Sequence, residues 1–245
     1  MTPRATVSIL TYTALPQAKR CIASVLKSTV PYYLYLTANG SQEAMIYFQS
    51  VAAEYPNVWV VSYGENQGFI KPNKHLFELC NTEFFVMLND DATVPPDWLE
   101  KMAAKFDRDP KMAIVGHHGG CCFLGADFGG FGYKAVPKWM HDSYGKHFEY
   151  VEFSCAMVRT SIMREIGLFS DYVEFANCED SDASLRAREA GYHIDRVHMN
   201  ITHEVGATRK NVPGLAEIYL KNKSACQARW ADYLKSKDRL FPCER

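Results

Sequence analysis

Phe84-Phe85-Val86-Met87-Leu88-Asn89-Asp90-Asp91 is an apolar run that ends in an amide and two carboxylates. An uninterrupted apolar run of this length, bounded by polar residues, suits a strand buried on both faces, as in a parallel sheet covered by helices. Three shorter β-rich runs precede it: Val7–Thr11, Tyr33–Thr37 and Val58–Val61. Helical patterns separate them. Leu15, Ala18, Ile22 and Val25 recur at helical spacing, with Pro16 suited to a first turn. The turn pair Asn39-Gly40 ends the second run, and Ser41 caps a helix carrying Met45, Phe48, Val51 and Tyr55. Asn66-Gln67-Gly68 turns into a helix through Leu76 and Leu79. Strands alternating with amphipathic helices predict an α/β fold with a mostly parallel central sheet and flanking helices. Ligands of such sheets sit beyond the carboxyl ends of the strands, which points to Thr11-Tyr12, Ala38-Asn39 and the residues after Leu88.

The second half is less regular. Glu152–Val158 reads as a strand, Ser161–Ile166 as a short helix stopped by Gly167, and Ser181–Ala190 as a helix ending at Gly191. Ile194–Ile201 reads as a further strand, and Leu215–Leu240 as a helix packing through Leu215, Ile218, Tyr219 and Trp230. Gly116–Gly132 is too rich in glycine for a helix and reads as loop with short strands. Phe123, Phe128, Phe131, Tyr133 and Trp139, in and just after it, either stack on a ligand or pack into the core.

Composition narrows the class. The chain has 245 residues, 47% hydrophobic and 22% charged, enough to bury a core without cross-links. A net charge of −1 calls for no polyanionic partner. Arg186, Arg188, Arg209 and Lys210 lie near one another and read as a solvated surface. No apolar run reaches the ~18 residues of a membrane span, so a cytoplasmic protein is the simplest expectation. The eight cysteines show no CxxC pair or zinc pattern and are expected reduced, mostly filling core.

Three clusters carry chemistry. Asp90 and Asp91 repel each other at a strand end, and either a hard divalent cation, Mn²⁺ or Mg²⁺, neutralises them or they cap the turn before the helix near Asp97. Glu179-Asp180-Ser181-Asp182 opens a helix, where carboxylates complement the dipole. Three within four residues exceed what capping needs, and one held in a cleft could take a proton from an acceptor hydroxyl. His203 is either a metal ligand or a satisfied polar residue, and Arg209 and Lys210 could touch phosphate oxygens. His117, His118 and His198 have no interpretable spacing.

The order of these features resembles the family-2 glycosyltransferases of GT-A fold. Val7–Tyr12 is similar to their opening strand, Asn39-Gly40-Ser41 to the "D-N-x-S" turn, and Asn66–Asn73 to "N-x-G-(F/Y)-x-x-x-x-N". Leu88–Leu99 resembles "L-N-x-D-x-x-(V/P)-x-P-x-W-L", and Ser154–Arg159 the acceptor-side strand. Gly167-Leu168-Phe169 resembles "G-x-F-D", Glu179–Arg186 "E-D-x-D-L-x-x-R", and His203 with Gly206 and Thr208 "H-x-x-G-x-(S/T)". The likeness covers about residues 6–210, and within the family it leans toward transferases related to rhamnosyltransferases. Asn89 stands where many members carry Asp, Ser170 where "G-x-F-D" has Asp, and Ser154-Cys155 where "G-(A/G)" is frequent.

The resemblance implies an inverting, metal-dependent transferase. Asp91 would lead the metal ligands, with Asp90 on metal or ribose and His203 completing the site. Asp180 would be the base, with Glu179 its rival. Thr11, Tyr12, Asn39, Asn66, Asn73, Asn89 and Arg209 would serve the donor, a UDP or dTDP sugar. The acceptor would be a glycan or other hydroxyl, a modified base in nucleic acid included. It also implies a catalytic domain over residues 1–210, split near 97 into donor and acceptor halves, and a helical appendage over 211–245. Two other classes stay open: a nucleotidyltransferase, disfavoured because Thr11–Leu15 lacks a glycine-rich, lysine-bearing loop, and a non-catalytic binder on the same scaffold.

Overall fold

The computed structural model describes residues 2–120, 150–204 and 212–238. The strands are β1 (Ala5–Thr11), β2 (Tyr32–Asn39), β3 (Val58–Tyr63), β4 (Phe84–Asn89), β5 (Ala92–Thr93), β6 (Met112–Gly116), β7 (Gly119–Gly120), β8 (Tyr150–Val151), β9 (Cys155–Arg159), β10 (His193–Arg196) and β11 (Thr202–His203). The helices are α1 (Leu15–Val25), α2 (Gln42–Glu54), α3 (Ile70–Leu79), α4 (Trp98–Arg108), α5 (Thr160–Ile166), α6 (Glu179–Glu189) and α7 (Leu215–Asp238). The order β10-β6-β9-β4-β1-β2-β3 forms a seven-stranded sheet. Only β9 runs against its neighbours in it. The mostly parallel α/β fold expected from the sequence is therefore the fold observed.

β4 shows why a continuous apolar run was needed. Phe84, Val86 and Leu88 face a core with α1, α2 and α4. Phe85 and Met87 face the opposite core, which holds α3, α5, α6 and α7. Each such side chain contributes roughly 1.5–3 kcal/mol on burial. Ser41 caps α2 as read, accepting from Ala44 N at 3.2 Å. Gly40 turns the chain at φ 88°.

Two expected strands are interrupted. The ladder over Glu152–Val158 begins only at Cys155, because Asn89 N takes the Ser154 carbonyl and Glu152 N takes that of His118. The run Ile194–Ile201 pairs with β6 only to Arg196, where β6 ends at Gly116. The chain then turns, and Thr202–His203 joins β5 in a separate antiparallel ribbon. Helix α6 starts at Glu179, two residues earlier than its periodicity indicated. No described helix is long and apolar enough to cross a membrane. The five described cysteines are buried and lie outside any disulfide. The aromatics Phe123 to Trp139, with Gly206, Thr208, Arg209 and Lys210, lie outside the described residues.

Candidate active site

A cavity of about 250 Å³ opens at the carboxyl ends of β1, β2 and β4, where the sheet rule places ligands. Leu10, Tyr12, Asn39 and Asn66 line one side, and Asn89, Asp90 and Asp91 the floor. Glu152, Phe175–Asp180, His203 and Leu215 complete the wall. The three chemical clusters of the sequence thus share one cleft.

Neither Asp90 nor Asp91 caps the following helix, whose N-cap is Asp97. The β5–β11 ribbon sets Ala92 opposite His203, and Glu204 N bonds the Asp91 carbonyl at 3.0 Å. That pairing brings His203 Nε2 to 3.0 Å from Asp91 Oδ1. Asn89 Nδ2 lies 3.4 Å from the same imidazole nitrogen. Burial alone would lower the His203 pKa, but the hydrogen bond and charge of Asp91, with Glu152 and Asp90 behind it, raise it. Asp90 is buried, and desolvation followed by the Asp91 charge pushes its carboxyl up to about 7. Its Oδ2 is buried without a hydrogen-bond partner. An inward carboxylate oxygen of this kind suits a hard cation. Among the described residues, no three acidic, histidine or cysteine side chains close a metal cage by themselves.

The second acidic cluster divides by role. Asp182 turns inward, where Arg186 Nε holds it at 2.8 Å and Trp230 Nε1 at 2.9 Å, with Tyr172 OH on the same carboxylate. It is structural. Arg186, grouped with a solvated surface in the sequence, instead folds inward and also bonds the Ile166 and Leu168 carbonyls. Asp180 faces the cavity. Its Oδ1 accepts from Ser181 N at 2.7 Å, and desolvation raises its pKa against the pull of those bonds. Glu179 lies beside it in the wall.

Other residues assigned to the donor lie at different depths. Thr11 is fully buried beneath the site and is not part of the wall. Asn73 is likewise buried, accepting from Ser8 Oγ at 2.7 Å and donating to the Phe69 carbonyl at 2.9 Å. Asn39 reaches the wall, but its amide donates to Asn66 Oδ1 and the Gly68 carbonyl and accepts from Gln67 N. It braces the turn after β3. The sequence reading missed Glu152, which lines the cavity and is pushed to about 7 by desolvation and then by Asp180. A charge inside the apolar stretch Tyr150–Phe153 was its only signal. Phe175, Asn177 and Tyr150 were also missed. His117 packs against His118 at 4.1 Å, and burial followed by His118 lowers its pKa to about 3.

Comparisons with known proteins agree with this fold. The family described as glycosyl transferase family 2 matches residues 6–130, and glycosyl transferase family group 2 matches residues 84–234. A glucosyl-dolichyl phosphate glucuronosyltransferase of Haloferax volcanii is 28% identical over 96 residues, 39% of this chain and 31% of that protein. The chain thus spans about a third of that curated relative. Among solved structures, a mannosyltransferase from Pyrobaculum calidifontis in complex with GDP-Man and Mn²⁺ aligns with TM-score 0.62 and 16% identity, over 81% of this chain and 55% of that one. Residues 1–349 of S. aureus TarS align with TM-score 0.58 and 16% identity, over 79% and 58%. At that identity the structural likeness speaks to the GT-A fold alone. With more than half the chain matched by the family on sequence, and its strand-end acidic site in place, this chain belongs to glycosyl transferase family 2.

Proposed function

We propose that the chain transfers a sugar from a nucleotide-diphosphate donor to an acceptor hydroxyl, with inversion, and that it depends on a divalent cation. One observation carries the reading: Asp90, Asp91, His203, Glu179 and Asp180 line a single cavity at the carboxyl end of the sheet. Asp91, Asp90 and His203 would hold Mn²⁺ or Mg²⁺, leaving further positions to phosphate oxygens and water. When bound, such an ion offsets charge on the departing diphosphate.

The residues supply the remainder. Tyr12, Asn39 and Asn66 flank the nucleotide, with Arg209 reading the phosphates. Thr11 and Asn73 support this wall from beneath. Asn89 and Asp90 face the donor at the end of β4. Asp180, raised in pKa and aimed into the cavity, accepts the acceptor's proton as that oxygen bonds to the anomeric carbon, with Glu179 as the alternative base. The bond from that carbon to the β-phosphate oxygen breaks in the same step, and the nucleoside diphosphate leaves with the electron pair. Donor contacts fall mainly within residues 1–97, and acceptor contacts within 98–210. UDP and dTDP sugars, deoxyhexoses included, are the donors favoured by sequence likeness, and GDP-mannose by the Pyrobaculum complex. The acceptor is a glycan hydroxyl.

A panel of UDP, dTDP and GDP sugars, scored by melting shift with Mn²⁺ and then by nucleotide release, tests this. One donor raising the melting temperature in an Mn²⁺-dependent way and releasing its diphosphate is the expected result. No shift and no release for any donor would overturn the proposal in favour of a non-catalytic scaffold.

A further inference from the structure

We infer that Asn222 is a positioning residue for the proposed base, its carboxamide holding the loop Glu174–Cys178 in the shape that aims Asp180 into the cavity. The inference rests on the reading of Asp180 as base.

Asn222 lies within α7 and is fully buried. Its Oδ1 accepts from Glu174 N at 3.1 Å. Its Nδ2 donates to the carbonyls of Glu174 at 2.8 Å, Ala176 at 3.0 Å and Asn177 at 3.1 Å. One side chain thus engages four backbone groups of a five-residue loop, using its acceptor and both donated hydrogens. The loop needs such a hold. Phe175, Asn177 and Cys178 have φ of 63°, 74° and 70°, a region L residues seldom occupy. Backbone in that state persists where its surroundings over-determine it.

The far side of the loop is tied as well: the Phe175 carbonyl accepts from Phe69 N at 2.6 Å and Ile70 N at 3.0 Å. Cys178 is the N-cap of α6, so the loop's shape sets where Glu179 and Asp180 emerge. The same helix face that presents Asn222 presents Cys226 and Trp230, and Trp230 fixes Asp182, two residues beyond Asp180 in the first turn of α6. Asn222 therefore aligns the segment ahead of Asp180, and Trp230 the segment behind it.

The test uses the full chain with Mn²⁺, UDP-glucose, dTDP-rhamnose and GDP-mannose as donors and water as acceptor. Asn222→Ala removes the clamp. Asn222→Asp keeps the volume and the acceptor for Glu174 N–H but loses both donated protons, and serves where the alanine variant does not fold. The expected result is kcat at least tenfold lower, with Kd for the nucleoside diphosphate and Mn²⁺ within twofold of wild type. Asp180→Asn combined with either substitution is expected to be no more than twofold slower than Asp180→Asn alone, because Asn222 acts through Asp180. Wild-type kcat in the folded Asn222 variants, or losses that multiply in the double variant, would overturn the inference. Full turnover in Asp180→Asn would instead remove the base reading itself. Deuterium uptake over residues 174–180 gives a readout independent of turnover. It rises in the Asn222 variants if the clamp exists, and unchanged uptake rejects it.

Discussion

Asp180 and Asp91 carry different halves of the proposed chemistry, and their substitutions should separate cleanly. Asp180→Asn removes a proton acceptor without changing volume, so kcat should fall by about 10²–10⁴-fold while donor binding holds; single-turnover kinetics and calorimetry read the two independently. Asp91→Ala removes a charge-assisted partner and should weaken Mn²⁺-dependent donor binding by at least ~10-fold, as titration with and without a chelator would record. The buried acids also tie stability to pH. Asp90 and Glu152 rise from ordinary values of 3.8 and 4.5 to about 7, with desolvation the larger cause in each. Their folded pKa values exceed the unfolded ones, so the stability they contribute is complete below about pH 4 and is lost as pH climbs through 7. For Asp90 the difference corresponds to about 4 kcal/mol. Melting of the chelated protein should therefore show this loss between about pH 4 and 7, and Mn²⁺ should raise the melting temperature more at pH 8 than at pH 5. At this scale the sequence revealed the carboxylates that a long apolar run delivers to its end, Asp90 and Asp91, and missed Glu152, set inside a short one. It could not reveal depth: Thr11 and Asn73 sit in the right motifs yet are buried beneath the wall, because a spacing does not say which side of a turn faces solvent.

Among elements, β1 to β4 and the helices between them were legible, since buried strands and amphipathic helices leave different periodicities. The strands cut short, before Cys155 and after Arg196, were not, because the interruption comes from a neighbour that ends rather than from any local residue. The clasp between the β3–α3 turn and the Phe175 loop was equally invisible. Gly68 stands there at φ 75°, and a Cβ would come within 2.5 Å of the Phe175 carbonyl oxygen. Gly68→Ala should cost about 1–2 kcal/mol from backbone conformation alone, with further loss as the loop is pushed away. Urea denaturation would measure the loss of stability, and a lower kcat the displacement of the loop that leads to Asp180.

Over the whole molecule, α7 is bound into the second core through Cys226 and Trp230, of which the sequence reading had named Trp230 as a packing residue. Its inner stripe mixes a tryptophan, a cysteine and an asparagine, so it gives little apolar signal. Trp230 is fully buried and also holds Asp182. Trp230→Ala should lower stability by about 3–5 kcal/mol, measurable by chemical denaturation, and should loosen α6 with it. A different consequence follows from the small pair β7–β8. Gly119 lies opposite Val151 and Gly120 opposite Tyr150, and Tyr150 lines the cavity. Gly120 and Tyr150 thus sit side by side. Tyr150 therefore reaches the cavity wall on a two-residue ladder separate from the seven-stranded sheet, so its place can be altered without shifting the register of those seven strands.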